Sequence, residues 1–119
     1  MRIGELARAT GATTRALRFY EEQGLLQARR LPNGYRDYAD EAVARVRSIR
    51  YLLDHGLTLE DVAQFRCCLD GDLSGRSTEP APALVAVAQR RLDVLDARLR
   101  ALAEVRDHLA AGLRGMTQR

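Results

Sequence analysis

Apolar residues recur at helical spacing through the first 65 residues and predict four short helices. These helices span residues 3–11, 13–23, 40–55 and 58–65. Their apolar positions are Ile3, Leu6 and Ala7; Ala16, Leu17 and Tyr20; Val43, Val46, Ile49, Leu52 and Leu53; and Leu59, Val62, Ala63 and Phe65. A tight turn containing Gly11 separates the first two helices, which is typical of a helix-turn-helix.

Polar residues at the predicted helix starts supply hydrogen-bond acceptors for the free backbone N–H groups of the first turn. Thr13 is placed to cap the second helix and Asp40 to cap the third. Thr58 opens the fourth helix, and Asp61 three residues later predicts a weak capping box. The polar pattern therefore supports the same four boundaries.

Two short extended runs, residues 27–30 and 35–37, follow the second helix. Pro32-Asn33-Gly34 joins them, and Asn-Gly is a strong signal for a hairpin turn. The sequence therefore predicts a mainly α fold: a winged helix-turn-helix DNA-binding domain with one small β-hairpin wing, followed by a long C-terminal dimerisation helix.

That long helix is predicted from residue 82 to about residue 113. Two apolar ladders of seven-residue spacing, offset by three, form the a and d positions of a coiled coil. This seam consists of Val85, Ala88, Leu92, Leu95, Leu99, Leu102, Leu109, Leu113 and Met116, with Arg106 at one a position. So long a seam predicts a homodimer; the alternative is that the helix folds back on its own domain. Arg106 is expected either to face a carboxylate of the other chain or to lie near a frayed end.

Positive charge is concentrated in the predicted winged helix. The chain carries a net charge of +3. Residues 1–36 hold seven arginines against three glutamates, whereas the rest holds twelve arginines against thirteen acidic residues. A phosphate-facing surface requires this distribution.

The chain is expected to be cytoplasmic and to cross no membrane. It contains no apolar run of about eighteen residues and its N-terminus lacks a signal-peptide core. Two adjacent cysteines do not make a disulfide framework. The predicted organisation is a DNA-binding domain over residues 1–69, a linker over 70–81, a coiled-coil helix over 82–115 and a tail over 116–119.

The order of these elements resembles that of the MerR family of bacterial transcriptional regulators. The stretches that carry the resemblance are Ile-Gly-Glu-Leu-Ala, Thr-Gly, Arg-Phe-Tyr-Glu-Glu-Gln-Gly-Leu, Asn-Gly-Tyr-Arg-Asp-Tyr and Gly-Leu-Thr-Leu-Glu-Asp. The resemblance implies a homodimer, held by an antiparallel coiled coil, on a pseudo-palindromic operator in double-stranded DNA. It also implies that the protein bends and untwists the promoter so that RNA polymerase engages it.

The same resemblance implies which residues contact DNA. They are Thr13, Thr14, Arg15, Arg18 and Tyr20 at the second helix, Tyr35, Arg36 and Tyr38 in the wing, and Arg50 on the third helix. Arginine offers forked donors and tyrosine a stiff hydroxyl to phosphates. The alternative for Tyr20 and Tyr38 is core packing with an exposed hydroxyl, and for Arg36 a solvated charge. Leu53 departs from the family, which often carries a basic residue there.

An effector cannot be named from the sequence, and no cofactor or metal is expected. Cys67, Cys68 and His108 are the weak candidates for a soft-metal site. The stronger interpretation is that the adjacent cysteines point in different directions and act as small apolar residues. No catalytic motif supports an enzyme. The alternative functions are an architectural or excisionase-like DNA-bending protein and a coiled-coil interaction module.

Overall fold

The fold is described from a computed structural model, which describes residues 1–64, 66, 69 and 82–118. Its elements are α1 (Ile3–Thr10), α2 (Thr14–Glu22), β1 (Arg29–Arg30), β2 (Arg36–Asp37), α3 (Glu41–Asp54), α4 (Leu59–Ala63) and α5 (Pro82–Thr117). The mainly α architecture with one small hairpin is confirmed. Phe65, Cys67, Cys68 and the predicted linker 70–81 lie outside the described residues.

The turn between α1 and α2 fixes the helix-turn-helix. Gly11 ends α1 with φ 74°, and its N–H donates to the Ala7 carbonyl at 2.8 Å. The Thr13 hydroxyl oxygen then accepts from the Ala16 N–H at 3.0 Å, so the predicted cap of α2 is confirmed. The chain turns sharply here because the left-handed Gly11 ends α1 and the capping residue Thr13 starts α2 two positions later.

The wing, residues 29–37, is a two-stranded antiparallel hairpin in which Arg29 pairs with Asp37 and Arg30 with Arg36. Its strands are shorter than predicted. The Asn33 side-chain oxygen accepts from the Tyr35 N–H at 3.1 Å, and Gly34 has φ 84°. Asn-Gly therefore makes the predicted turn, because its side chain and its left-handed residue reverse the chain within a few positions.

The core lies where α1, α2, α3 and the wing meet. Its buried apolar residues are Leu6, Leu17, Tyr20, Leu25, Leu26, Tyr38, Ala42, Val46, Ile49, Leu52, Val62, Leu69 and Val87. Asp40 precedes α3 as predicted, but its own backbone is helical and its side chain makes no capping hydrogen bond, so that part of the prediction is wrong. Thr58 and Asp61 do form the predicted capping box of α4, with bonds of 3.1 and 2.9 Å.

Three arginines of α3 donate to backbone carbonyls at the end of α1 and in the segments that follow α2 and α4. Arg47 Nη2 donates to the Ala9 carbonyl at 3.2 Å, and Arg50 Nη1 donates to the Thr10 carbonyl. Arg45 donates to the Leu25 carbonyl and, at 2.9 Å, to the Arg66 carbonyl. The last carbonyls of a helix lack partners within it and carry partial negative charge, so guanidinium groups are favoured there. These contacts hold α1 and the segment after α2 against α3.

The long helix α5 has 36 residues and is therefore ~54 Å long. Its first turns pack against the body formed by residues 1–64, which we call the head. Val87 is 4% exposed and Leu84 packs on the core, while the Arg91 Nε donates to the Gly56 carbonyl at 3.0 Å. The first turns of α5 thus dock on the head, as the alternative of a helix folded back on its own domain implied, but through a face adjacent to the seam. The seam residues Ala88 and Leu95 are half-buried, whereas Leu92, Leu99, Leu102, Leu109 and Leu113 are exposed.

We expect Gly11→Ala to lower the free energy of unfolding by about 1–2 kcal/mol, because a left-handed residue with a Cβ is strained. The new Cβ would also lie 2.8 Å from Arg50 Nη1 and displace that guanidinium. Denaturant unfolding of both proteins measures the change. Gly34→Ala is the matched control, because Gly34 has a similar φ of +84° but its Cβ would meet no atom within 4 Å, so the difference between the two variants reports the contact with Arg50. Equal stability of Gly11→Ala and the wild type would contradict the assigned turn.

Candidate nucleic-acid interface

The solvent-facing side of α2 is polar and accessible because the opposite side supplies the core. Leu17 is fully buried and Tyr20 is 6% exposed, which turns Arg15 and Arg18 outward. The shallow surface on this side is lined by Thr13, Arg15, Ala16, Arg18, Phe19 and Glu22. Two neighbouring guanidiniums on an exposed helix are able to reach base edges or phosphates in a DNA groove.

A cleft of about 540 Å³ lies between the start of α1, α2 and the wing. We call it the arginine cleft; it is lined by Arg2, Ile3, Gly4, Glu5, Arg8, Arg18, Arg30, Gly34, Tyr35 and Arg36. Five of these residues are arginines and one is a glutamate. Arg18 lines both the cleft and the exposed surface of α2, so the two positive surfaces are continuous. A polyanion of regular spacing suits such a surface.

Ion pairs and a ring contact hold the wing beside α2. Arg36 Nη1 lies 3.4 Å from Glu21 Oε2, and the Arg2 guanidinium lies 4.5 Å from the centre of the Tyr35 ring. The Met1 backbone nitrogen donates to Asp37 Oδ1 at 3.0 Å and to the Tyr38 carbonyl at 2.6 Å. The wing therefore presents Tyr35, which is 55% exposed, at the edge of the arginine cleft.

Tyr20 and Tyr38 are both packed in the core, and the phosphate contacts predicted for them stay predictions. Tyr38 is 1% exposed, and its hydroxyl is enclosed with no hydrogen-bond partner among the described residues. Burial, followed by the charge of Glu21, raises the pKa of Tyr38. The raised pKa means that the Tyr38 hydroxyl stays neutral in the folded protein. Its contribution to the free energy of unfolding is therefore fully present below the ordinary tyrosine pKa and is lost as pH rises through the raised pKa. In this conformation the Tyr38 hydroxyl does not reach a phosphate.

Tyr20 also supplies core packing, as the sequence alternative stated. Burial is the main reason that its pKa is raised, while Arg50 opposes and Asp54 reinforces that shift. Arg50 itself is half-buried at the end of α1, where it bonds the Thr10 carbonyl. A guanidinium has five N–H donors, so this bond leaves others for a phosphate. The DNA contacts of Tyr20 and Arg50 remain predictions.

Some residues of this surface were not identified from the sequence. Arg2, Arg8 and Arg30 line the arginine cleft, and Phe19 is 42% exposed beside Arg18. A helical wheel of α1 would have placed Arg8 away from the apolar stripe of Ile3, Leu6 and Ala7. No sequence signal brings α1 and the wing together, because that approach is made by the tertiary fold.

The described residues give no support to a metal site at Cys67, Cys68 and His108. Cys67 and Cys68 lie outside the described residues, and His108 is exposed on α5 beside Glu104 and Asp107. Within the described residues, no three His, Cys, Asp or Glu side chains are grouped to hold a metal ion. Likewise, none of the helices in this part of the chain has the length and apolarity needed to cross a membrane.

Comparison with known proteins assigns the chain and its fold to a family. The family model described as MerR HTH family regulatory protein matches residues 1–66, and the model described as MerR, DNA binding matches residues 43–112. The HTH-type transcriptional regulator HmrR of Rhizobium leguminosarum bv. viciae is 30% identical over 118 residues, covering 97% of this chain and 88% of HmrR.

Two further relatives are informative. Nodulation protein NolA of Bradyrhizobium sp. (strain NC92) is 36% identical over 109 residues, which cover 91% of this chain but 41% of NolA, so the chain spans less than half of that relative. The solved structure of the transcription regulator PbrR691 from Ralstonia metallidurans CH34, in complex with lead(II), superposes with a TM-score of 0.71 at 25% identity. That match covers 92% of this chain and 82% of PbrR691.

We expect Tyr38→Phe to leave DNA affinity unchanged and Tyr35→Phe to weaken it by ~1 kcal/mol, because only the Tyr35 hydroxyl is free to bond a phosphate. Both are measured by titration of a duplex selected from genomic fragments by the wild-type chain. Tyr38→Phe is also expected not to destabilise the fold, because it removes an enclosed, unpaired hydroxyl. A loss of affinity in Tyr38→Phe with unchanged stability would show that the hydroxyl leaves its enclosure on binding.

Proposed function

Because this chain belongs to the MerR family of DNA-binding transcriptional regulators, we propose that it binds a pseudo-palindromic promoter operator as a homodimer and regulates transcription by distorting the promoter DNA. The observation that carries the proposal is the continuous positive surface of α2 and the arginine cleft, which meet at Arg18. Bacterial promoters lie in the cytoplasm, so we place the protein there.

In the proposed complex, α2 lies in the major groove and the wing follows the DNA backbone. Arg15 and Arg18 are the side chains of α2 that reach base edges or the flanking phosphates. Tyr35 and Arg36 contact the backbone from the wing, and Thr13 and Thr14 lie at the start of α2, where helix N-termini favour phosphate. Contacts to phosphate set the position of the protein, while contacts to bases give the sequence preference.

A second copy of the chain is the proposed partner of α5. Leu92 is 50% exposed, Leu99 65%, Leu102 66%, Leu109 70% and Leu113 57%. Apolar side chains in such a row are rarely left in water, since each gains about 1.5–3 kcal/mol when fully buried. Because the chain is one small head on a ~54 Å helix, a matching helix from another copy covers the row and places one head at each end.

Regulation in this proposal acts through the shape of the DNA. The two heads, joined by the paired α5 helices, each bind one half-site of the operator. Bending or untwisting the duplex between the half-sites then changes how RNA polymerase contacts the promoter elements. An architectural protein would bend DNA in the same way without changing transcription. The comparisons favour the regulator, because HmrR is named a transcriptional regulator.

The test begins with the genomic sites that the full chain binds, from which a duplex is taken for binding and for transcription in vitro with RNA polymerase. Binding is expected to weaken steeply as salt is raised, because phosphates release counterions. Transcription from the selected promoter is expected to change when the protein is added. Bending without any change in transcription would support the architectural function instead, and the absence of binding at low salt would refute both.

We expect Arg18→Ala to weaken binding to the selected duplex by ~1–3 kcal/mol if Arg18 reads a base, with a smaller loss on random duplex. Titrations of both duplexes at one salt concentration measure the difference. Arg100→Ala is the control, because Arg100 is exposed on α5 away from the head. An equal loss on both duplexes would assign Arg18 to a phosphate, and no loss on either would remove it from the interface.

We expect Leu102→Asp to convert the dimer to a monomer and to abolish binding to a two-half-site duplex, because a carboxylate in the seam must lose its water. Sedimentation measures the mass and titration measures the binding. Ala97→Asp is the matched control, since Ala97 is exposed on the same helix outside the seam. A dimer that survives Leu102→Asp and is lost in Ala97→Asp would show that a different face of α5 associates.

A further inference from the structure

Arg106 is the one charged residue among the a and d positions of α5. Its neighbours in the seam are Leu102 and Leu109, both largely exposed. Its guanidinium contacts Asp107 of its own helix at 3.1 Å, but the two side chains are 76% and 71% exposed, and a solvated contact of this kind contributes little. A guanidinium in an apolar seam needs a carboxylate when a second helix covers it.

The direction of the second helix follows from this charge. In a parallel pair, identical a positions face each other, so each Arg106 would lie against the partner's Arg106. In an antiparallel pair, a positions face d positions, and Arg106 instead faces a leucine layer of the other helix. Like charges in a desolvated layer are disfavoured, so the seam favours the antiparallel arrangement.

One antiparallel register gives every seam residue of α5 a partner within Pro82–Thr117. In it Leu99 faces the partner's Leu102, Leu92 faces the partner's Leu109, and Val85 faces the partner's Met116. Arg106 then faces the partner's Leu95, and Leu113 faces the partner's Ala88. A shift by one heptad leaves either Leu113 and Met116 or Val85 and Ala88 opposite positions outside α5.

This register also brings an acid to Arg106. The residue after the partner's Leu95 is Asp96, at an e position, and in an antiparallel pair the e positions lie on the same side of the interface as the a positions of the other helix. We infer that Arg106 forms an ion pair with the partner subunit's Asp96, twice per dimer, and that this pair fixes the register of the two helices. The inference rests on the proposed homodimer.

The alternative registers give Arg106 no such partner. A shift by one heptad in one direction places it opposite the partner's Ala88, which Gln89 follows. A shift in the other direction places it opposite the partner's Leu102, which Ala103 follows. Neither Gln89 nor Ala103 carries a charge, so both shifted dimers bury an arginine without a carboxylate. A single charged layer is an effective way to select one register, because the incorrect registers lose the pair entirely.

Charge reversal in the full chain tests the ion pair. We expect Arg106→Glu to raise the dimer dissociation constant by at least about tenfold, since two carboxylates then share a desolvated site. Asp96→Arg should weaken the dimer likewise, and the double variant Arg106→Glu/Asp96→Arg should restore most of the affinity. Asp107→Asn is the matched control and should leave the constant near that of the wild type. Analytical ultracentrifugation over a concentration series measures all five proteins.

Cysteine cross-linking tests the register without relying on charge. In a background carrying Cys67→Ser and Cys68→Ser, an equimolar mixture of Leu99→Cys and Leu102→Cys chains should oxidise to a cross-linked heterodimer. Leu113→Cys alone should not cross-link, because Leu113 faces the partner's Ala88 and its two sulfurs lie roughly 35–40 Å apart along the antiparallel pair. A heterodimer from Leu99→Cys with Leu95→Cys, or with Leu109→Cys, would instead reveal one of the shifted registers and overturn the inference.

The outcomes separate the ion pair from the proposed function. A wild-type chain that stays monomeric at every concentration would refute the homodimer and the pair together. A wild-type dimer in which the double reversal restores nothing, or in which Asp107→Asn weakens the dimer as much as Arg106→Glu, would refute the pair alone. Cross-linking of Leu113→Cys with itself would show a parallel dimer, and this result too would overturn the inference while leaving the dimer intact.

Discussion

The bonds from the arginines of α3 to backbone carbonyls are the constraint on which the placement of the DNA-binding elements depends. α1 has 8 residues and α2 has 9, and helices this short are marginal by themselves. Arg47 and Arg50 bond the last carbonyls of α1, and Arg45 bonds the Leu25 carbonyl after α2. Apolar burial of Leu6, Leu17 and Ile49 supplies most of the stabilisation, but it is not directional. The guanidinium bonds are directional, and they fix the end of α1 and the segment after α2 against α3.

The positive surface is therefore a product of two different uses of arginine. Arg45, Arg47 and Arg50 of α3 donate to backbone carbonyls of the head, and these bonds help to hold the head together. Arg2, Arg8, Arg18, Arg30 and Arg36 line the arginine cleft, and Glu5 is the one acidic residue of that lining. Glu21 is drawn toward Arg36 at 3.4 Å, and this ion pair holds the wing near α2. The interface is thus both positively charged and fixed in shape, which a protein that deforms DNA requires.

The fold was largely predictable from the sequence, because helical periodicity, the Thr13 and Thr58 caps and the Asn-Gly turn are local signals. The long helix α5 was predictable for the same reason, since a seven-residue repeat needs no knowledge of tertiary structure; the use of its seam by a second copy stays a prediction. The site was less predictable. Whether the Tyr38 hydroxyl is enclosed depends on how the wing packs, and the approach of Arg2 and Arg8 to Tyr35 depends on residues more than twenty positions apart. Asp40 was read as a cap from its residue type, but its helical φ and ψ remove the geometry that a cap needs.

In the proposed dimer, the docking of α5 on its own head links the assembly of the two chains to the DNA. Leu84, Val87 and Arg91 hold one face of the helix to the head, while Val85, Leu92 and Leu99 on the adjacent face are left for the second copy. In the proposed pair of helices, the angle at this joint helps to set the distance between the two α2 helices, because a long helix curves only gently. Since DNA resists bending at a cost of several kcal/mol, the joint must be rigid for the heads to impose a shape on the duplex. At this joint the burial of Val87 supplies apolar contact between α5 and the head, and the hydrogen bond from Arg91 to the Gly56 carbonyl fixes the orientation of α5. The same helix therefore connects recognition by the head to assembly of the pair.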